Sequence, residues 1–177
     1  MKMDGIYLIL KNGKKIRFTG RNSEQERKNC RYVGLKLGSK AICIALHDAS
    51  ADYVPLTSKM DHTDYDGYKD NYLDATADWN GKENTKHLEQ IGLNPEINLE
   101  DGEYIPSAAE LKFIQLFRKG IDEAIKFVGG KPFWDGWYWT STECSSSYAW
   151  GLSLLVGNLG WGTKAGYSGL VRAVSAF

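Results

Sequence analysis

The chain is poor in the residues that hold small folds together through covalent or metal cross-links. Its 177 residues include three cysteines (Cys30, Cys43 and Cys144), three histidines and four prolines. Three thiols so widely spaced build neither a disulfide framework nor a zinc knuckle, so packing has to hold the fold and the thiols are expected to be reduced. Net charge is missing too, because 22 Lys and Arg balance 22 Asp and Glu. No global field draws the chain toward nucleic acid or an acidic membrane, and a partner has to be recognised by shape and local contacts. The N-terminal apolar run, residues 6–10, spans five residues and gives way to lysines. That is neither an export signal nor a membrane span. What remains, 42% hydrophobic and 25% charged in 19.8 kDa, fits one globular domain over residues 1–177.

What is present is unevenly distributed. Residues 131–177 contain only five charged side chains (Lys131, Asp135, Glu143, Lys164 and Arg172) but ten of the 22 aromatics. Trp134, Trp137, Trp139, Trp150 and Trp161 all lie there, interleaved with seven glycines and seven serines. Large rigid contact surfaces beside small adaptable positions make the composition of a binding face more than of a catalytic cleft. A central core sheet is the other reading of the same tryptophans.

Residues 6–10, the Asn12-Gly13 pair and residues 14–18 read as a hairpin, since Asn-Gly fits a tight two-residue turn. Residues 23–31 suggest a short charged helix, and residues 32–37 and 40–46 flank Gly38-Ser39 as a second hairpin. Residues 47–80 lose apolar periodicity and read as a long loop, followed by a helix over 80–93. The clearest helix start is Ser107-Ala108-Ala109-Glu110, a capping box. Leu111, Ile114 and Phe117 continue it, Gly120 is expected to interrupt it, and a second piece over 121–128 stops at Gly129-Gly130. Residues 137–142, 149–156 and 170–177 read as strands joined by Gly/Ser-rich turns. Strands, then helices, then strands describe an α+β domain whose two ends pair in one sheet.

Catalytic constellations are scarce. His47 and Asp48 follow a strand, but neighbouring strand residues point to opposite faces, so a surface or capping role is expected. His62 and His87 lack partners at a metal-ligand spacing. The acidic loop 61–67 imitates a calcium loop, but with Gly67 at its sixth position the first and twelfth ligands become His62 and Leu73. Cys144 has Glu143 as its neighbour, which disfavours a thiolate. Serines 145–147 lack a nucleophile-elbow context, and residues 157–160 are too short to cradle phosphate. No catalytic residue, metal or cofactor is expected.

Tyr138 to Glu143 (YWTSTE), Ala149-Trp150, Lys164 and the closing Val171-Arg172-Ala173-Val174-Ser175-Ala176-Phe177 resemble the end of the Lcl C-terminal domain family. That family is a bacterial and phage branch of the C-type lectin fold. Residues 104–111 (YIPSAAEL) resemble its helix start, and Gly129-Gly130 before the aromatic strand fits as well. The likeness is strongest over residues 100–177, with echoes at 42–48 and 78–85. It implies a C-type lectin fold of the formylglycine-generating-enzyme-like branch, with mixed or antiparallel sheets and two or more helices.

Some members are variable proteins of diversity-generating retroelements, in which reverse transcription rewrites chosen codons near the 3′ end of the gene. Positions often Tyr or Asn in the family are here Cys144, Tyr148, Gly151, Ser153 and Leu155, each reachable from an Asn codon by adenine substitution. On a strand, Gly151, Ser153 and Leu155 share the face opposite Trp150, Leu152 and Leu154. With the tryptophan side buried, the other face is expected in water and free to vary. Asn158, Trp161, Thr163, Tyr167 and Ser168 complete the expected patch, and residues 131–177 form the candidate variable segment. The resemblance thus implies a non-enzymatic receptor-binding protein of a phage tail or a gut bacterium. Its expected partner is a cell-surface protein or glycan, with no nucleic acid, no membrane insertion, and homo-oligomers on a virion or surface structure. Lacking an export signal, the chain is expected in the virion or the cytoplasm, or at the cell surface if a leader precedes it. An adhesin or carbohydrate-binding module is the first alternative. The second is a degenerate formylglycine-type oxidase; the calcium-lectin and copper-cysteine motifs of those relatives are incomplete here.

Overall fold

The chain reverses over Lys11 to Gly13, one residue more than the expected two-residue Asn12-Gly13 turn: only Gly13 takes positive φ, +81°, its N–H donates to the Leu10 carbonyl, and Leu10 N–H donates to the Lys14 carbonyl to close the hairpin. In the computed structural model, which describes residues 4–59 and 65–177, this hairpin joins β1 (Gly5–Leu10) to β2 (Lys15–Arg17). A capping box at Ser23 and Glu26 starts the short α1 (Glu24–Lys28). Next come β3 (Cys30–Leu37) and β4 (Lys40–Ala45), reversed at Gly38, where φ is +57°. The loop that follows carries α2 (Tyr72–Thr76) and leads into α3 (Gly81–Ile91). Then come α4 (Ala108–Leu116), α5 (Arg118–Phe127), β5 (Trp137–Glu143), β6 (Tyr148–Ser153), β7 (Leu159–Thr163) and β8 (Val174–Ser175).

The fold is α+β with two antiparallel sheets, ordered β2-β1-β3-β4-β8 and β5-β6-β7. The two ends of the chain meet as the sequence predicts, with Ile44 facing Val174 across β4 and β8. Leu111 and Ile114 of α4 and Ile121, Ala124 and Ile125 of α5 pack with Val33, Leu35, Ile42 and Ile44 of the first sheet. Tyr138 and Leu152 extend the same core to the second sheet. Truncating a side chain as buried as Leu111 costs about 2–5 kcal/mol.

The Ser107 start is observed: its Oγ accepts from Glu110 N–H, and Glu110 Oε2 accepts from Ser107 N–H at 2.8 Å. The expected break at Gly120 falls instead at Phe117, between α4 and α5. Gly120 stays helical, and because a β-carbon there would lie 2.6 Å from Ile6 Cδ1, its absence lets α5 rest directly on β1. The strand expected over 149–156 stops at Ser153, and Leu155 and Val156 stand exposed in the following turn. Only residues 174–175 of the expected 170–177 strand pair as one. Leu170, Val171 and Ala173 accept instead from Trp139, Ala49 and Ala45, so this segment threads between the sheets. An unpredicted strand, β7, forms the outer edge of the second sheet.

Asp48 corrects the expectation of a surface role. Its side chain is 2% exposed, 2.9 Å from Arg172 Nε and 3.2 Å from Lys131 Nζ, and it accepts from the Tyr138 hydroxyl. Arg172 also donates to the carbonyls of Ala45 and Lys131 and lies over the Phe133 ring. This clamp fixes the C-terminal segment between the sheets. Among the described residues, no helix is long and apolar enough to cross a membrane.

Candidate functional site

β5, β6 and β7 run antiparallel, with Trp139 opposite Gly151, Gly151 opposite Gly160, and Trp150 opposite Trp161. Alternation therefore puts Trp137, Trp139, Gly151, Ser153, Gly160 and Gly162 on one face of the sheet. Trp150 and Leu152 take the other face and join the interior, where the Trp150 indole N–H donates to the Lys69 carbonyl.

The first face carries a cleft of about 250 Å³ lined by Trp137, Gly151, Gly160, Tyr167 and Ser168, among others; Trp161 borders it, but its register opposite Trp150 turns its indole to the other face. Its shape follows from what the glycines lack. A β-carbon on Gly160 would meet Trp137 Cη2 at 3.1 Å, and one on Gly151 would lie 3.6 Å from Trp137 Cε3, so the indole spans both strands. A β-carbon on Gly162 would touch Tyr167 Cβ at 3.0 Å and Trp139 Cη2 at 3.4 Å. Trp139 is held from behind, its indole N–H donating to the Val54 carbonyl at 2.9 Å. The glycine row thus lies beneath the Trp137 and Trp139 rings, with Tyr167 beside them. Trp137, Trp161 and Tyr167 are 45%, 60% and 67% exposed, large values for such side chains.

The ten residues predicted as a binding patch divide. Gly151, Tyr167 and Ser168 line the cleft, and Trp161 borders it. Tyr148, half-buried, packs its ring edge-on against Trp161 at 5.0 Å and pairs with the half-buried Thr163. Leu155 and Asn158 are exposed at the β6–β7 turn, away from the cleft lining. Ser153 is buried at 8% exposure, and the floor position Gly151 is buried as well. The expected water-facing strand face is thus corrected: it lies opposite Trp150, but Trp137 and Trp139 cover much of it, which small residues beneath permit. Cys144 sits half-buried near Trp150 and Ala108. Burial, reinforced by the charge of Asp70, pushes its thiol pKa up, which is adverse to a nucleophile or a metal thiolate.

Trp137, Gly160 and Gly162 escaped the sequence-based patch. The signal that could have found them is the Gly-x-Gly spacing of β7 beside a strand carrying tryptophans at alternate positions. A second cluster was also missed. Glu143 and Lys164 are fully buried with Nζ 2.5 Å from Oε1, and His87 Nδ1 lies 2.5 Å from the other carboxylate oxygen. Tyr65 stacks on the His87 ring at 3.7 Å. His87 has no partner at a metal-ligand spacing, and Glu143, which it does meet, stands 56 residues away. The part of the acidic loop from Asp61 to Asp64, with His62, lies outside the described residues. Among the described residues, no three His, Cys, Asp or Glu side chains are grouped to hold a metal ion.

No family model matches the chain, and no curated protein matches it. Among solved structures, it is similar to a fimbrial protein from Bacteroides ovatus ATCC 8483, with a TM-score of 0.73 and 15% identity. The likeness covers 99% of this chain and 49% of the fimbrial chain, so the chain spans about half of that protein's length. At that identity the likeness concerns the fold.

Proposed function

We propose that this chain is a non-enzymatic binding domain of the C-type lectin fold that presents its C-terminal cleft to a macromolecular ligand at a cell surface, as an adhesin-type module. The cleft carries the reading: Trp137 and Tyr167 remain largely exposed over a glycine row, beside Trp139, which is pinned from behind. Rigid aromatic side chains at the rim of a preformed hollow are what binding hot spots are made of. The fold likeness to half of a fimbrial chain supports a surface-structure setting. The test is saturable labelling of intact cells by the purified chain. Tyr167→Ala or Trp137→Ala is expected to weaken labelling about 30-fold, the equivalent of about 2 kcal/mol at a hot spot. Labelling unchanged by either variant overturns the assignment of this cleft.

A second reading, a phage or bacterial retroelement variable protein, draws support from Leu155, Asn158, Trp161, Tyr167 and Ser168, which are all exposed and can change without disturbing the core. Gly151 and Ser153 are the positions that strain it. Its test is the flanking DNA: a near-copy of the 3′ end with adenines at the variable codons and a neighbouring reverse transcriptase support it, and an isolated gene removes it.

A further inference from the structure

The balanced overall charge hides two segments of opposite sign. Residues 11–21 hold five cations, Lys11, Lys14, Lys15, Arg17 and Arg21, and no Asp or Glu. Residues 87–106 hold five acids, Glu89, Glu96, Glu100, Asp101 and Glu103, and no Lys or Arg. All but the half-buried Lys15 and Glu103 are exposed. Among the described residues, one ion pair involves either set, Glu100 with Arg31 at 3.1 Å.

The fold carries these segments to opposite edges of the first sheet. The basic segment runs from the β1–β2 turn through β2, which has a strand neighbour on one side only. The acidic segment ends against β8, where Tyr104 and Val174 exchange both backbone hydrogen bonds at 2.9 Å. Four strand spacings, about 19 Å, separate β2 from β8. That exceeds the roughly 8 Å over which charges are felt at physiological salt, so the two edges do not neutralise each other within one chain. Their shapes differ as well. The basic edge ends in a projecting turn, with nothing packed against Gly13. The acidic edge borders a hollow of about 210 Å³ lined by Arg31, Tyr32, Asp48, Asn98, Glu100 and Glu103, among others. Asp48 Oδ2, although 3.2 Å from Lys131 Nζ, is a buried oxygen that accepts no hydrogen bond. Like charges keep β2 from docking on the β2 of another copy, and the acidic edge is the surface of this molecule that suits it. A contact between unlike edges is heterologous and builds rings or open chains.

We propose that the basic turn of one copy, led by Lys11 and Lys14, docks on the acidic edge of a second copy at the hollow beside β8, so that molecules associate head to tail. The contact lies on the first sheet and is independent of the cleft on the second. Sedimentation velocity of the whole chain at about 100 µM is expected to show association in about 20 mM NaCl, weakened at least 10-fold in about 500 mM, where screening shortens from about 20 Å to about 4 Å. Lys11→Gln with Lys14→Gln, and separately Glu96→Gln with Asp101→Ser, alter exposed side chains and should each weaken self-association at least 10-fold at unchanged Tm. Mixing the two variants leaves one intact basic and one intact acidic edge, and should restore the contact as a dimer that grows no further. A wild type that stays monomeric in low salt, or association indifferent to salt, overturns the proposal. So does a mixture that fails to associate, or a variant that associates like the wild type. A monomeric chain that binds poly-glutamate through Lys11 and Lys14 overturns the second copy and gives the basic edge to a polyanion.

Discussion

Removing Lys164 should be among the most damaging single substitutions in the chain. Its ammonium is wholly buried against Glu143, itself wholly buried, and Glu143 shares its second oxygen with His87. In Lys164→Met the stem volume is kept and the charge is lost, so Glu143 keeps only the His87 contact in an interior that cannot hydrate it. Breaking a buried pair from one side costs about 3–5 kcal/mol. For a domain of this size each kcal/mol lowers Tm by about 2–4 °C, which places the expected drop between about 6 and 20 °C. Replacing both partners, Lys164→Met with Glu143→Gln, removes the orphaned charge, and we expect it to recover at least half of the loss. Urea unfolding of the wild type, both single variants and the double variant closes the cycle. A loss below about 1 kcal/mol for Lys164→Met, or a double variant as unstable as the sum of the singles, would refute the reasoning.

Two further outcomes follow from the same packing. Burial pushes the Glu110 carboxyl up to about 7 against the opposing Ser107 and Tyr104 hydrogen bonds, so the folded state holds its proton more tightly than the unfolded chain does. Its contribution is therefore full below the ordinary value near 4.5 and is lost as pH rises to about 7; Glu110→Gln should flatten thermal stability across that window, and an unchanged pH profile refutes it. Gly160→Ala places a methyl 3.1 Å from Trp137 Cη2 and should shift Trp137 and weaken ligand binding while costing under about 1.5 kcal/mol of stability, as read by fluorescence and by cell labelling.

What the sequence made legible was local. Gly38-Ser39 and the Ser107–Glu110 box act within four residues and do what they predict, and Asn12-Gly13 turns the chain with one residue more than expected. The aromatic C-terminal segment also announced a contact surface. The edge strand β7 stayed hidden because its face toward Trp137 and Trp139 consists of Gly160 and Gly162, which carry no apolar period to read. The same covering rings closed much of the face that alternation alone placed in water. Asp48 looked like a surface acid because the Arg172 guanidinium that neutralises it stands 124 residues later. The contact of His87 with Glu143 is hidden in the same way, since a buried charge network is a long-range property that spacing along the chain does not encode.

The placement of β8 bears on how the protein emerges from the ribosome. Strands β1 to β4 are contiguous and can assemble as soon as they are made, but the neighbour that covers the outer edge of β4 consists of Val174 and Ser175. Throughout synthesis of the intervening residues, the apolar stretch Ala41 to Ala45 offers unpaired amides and carbonyls to any passing strand. Sealing that edge falls to residues translated late, so stalled or shortened nascent chains are the species in which strand exchange and aggregation should begin.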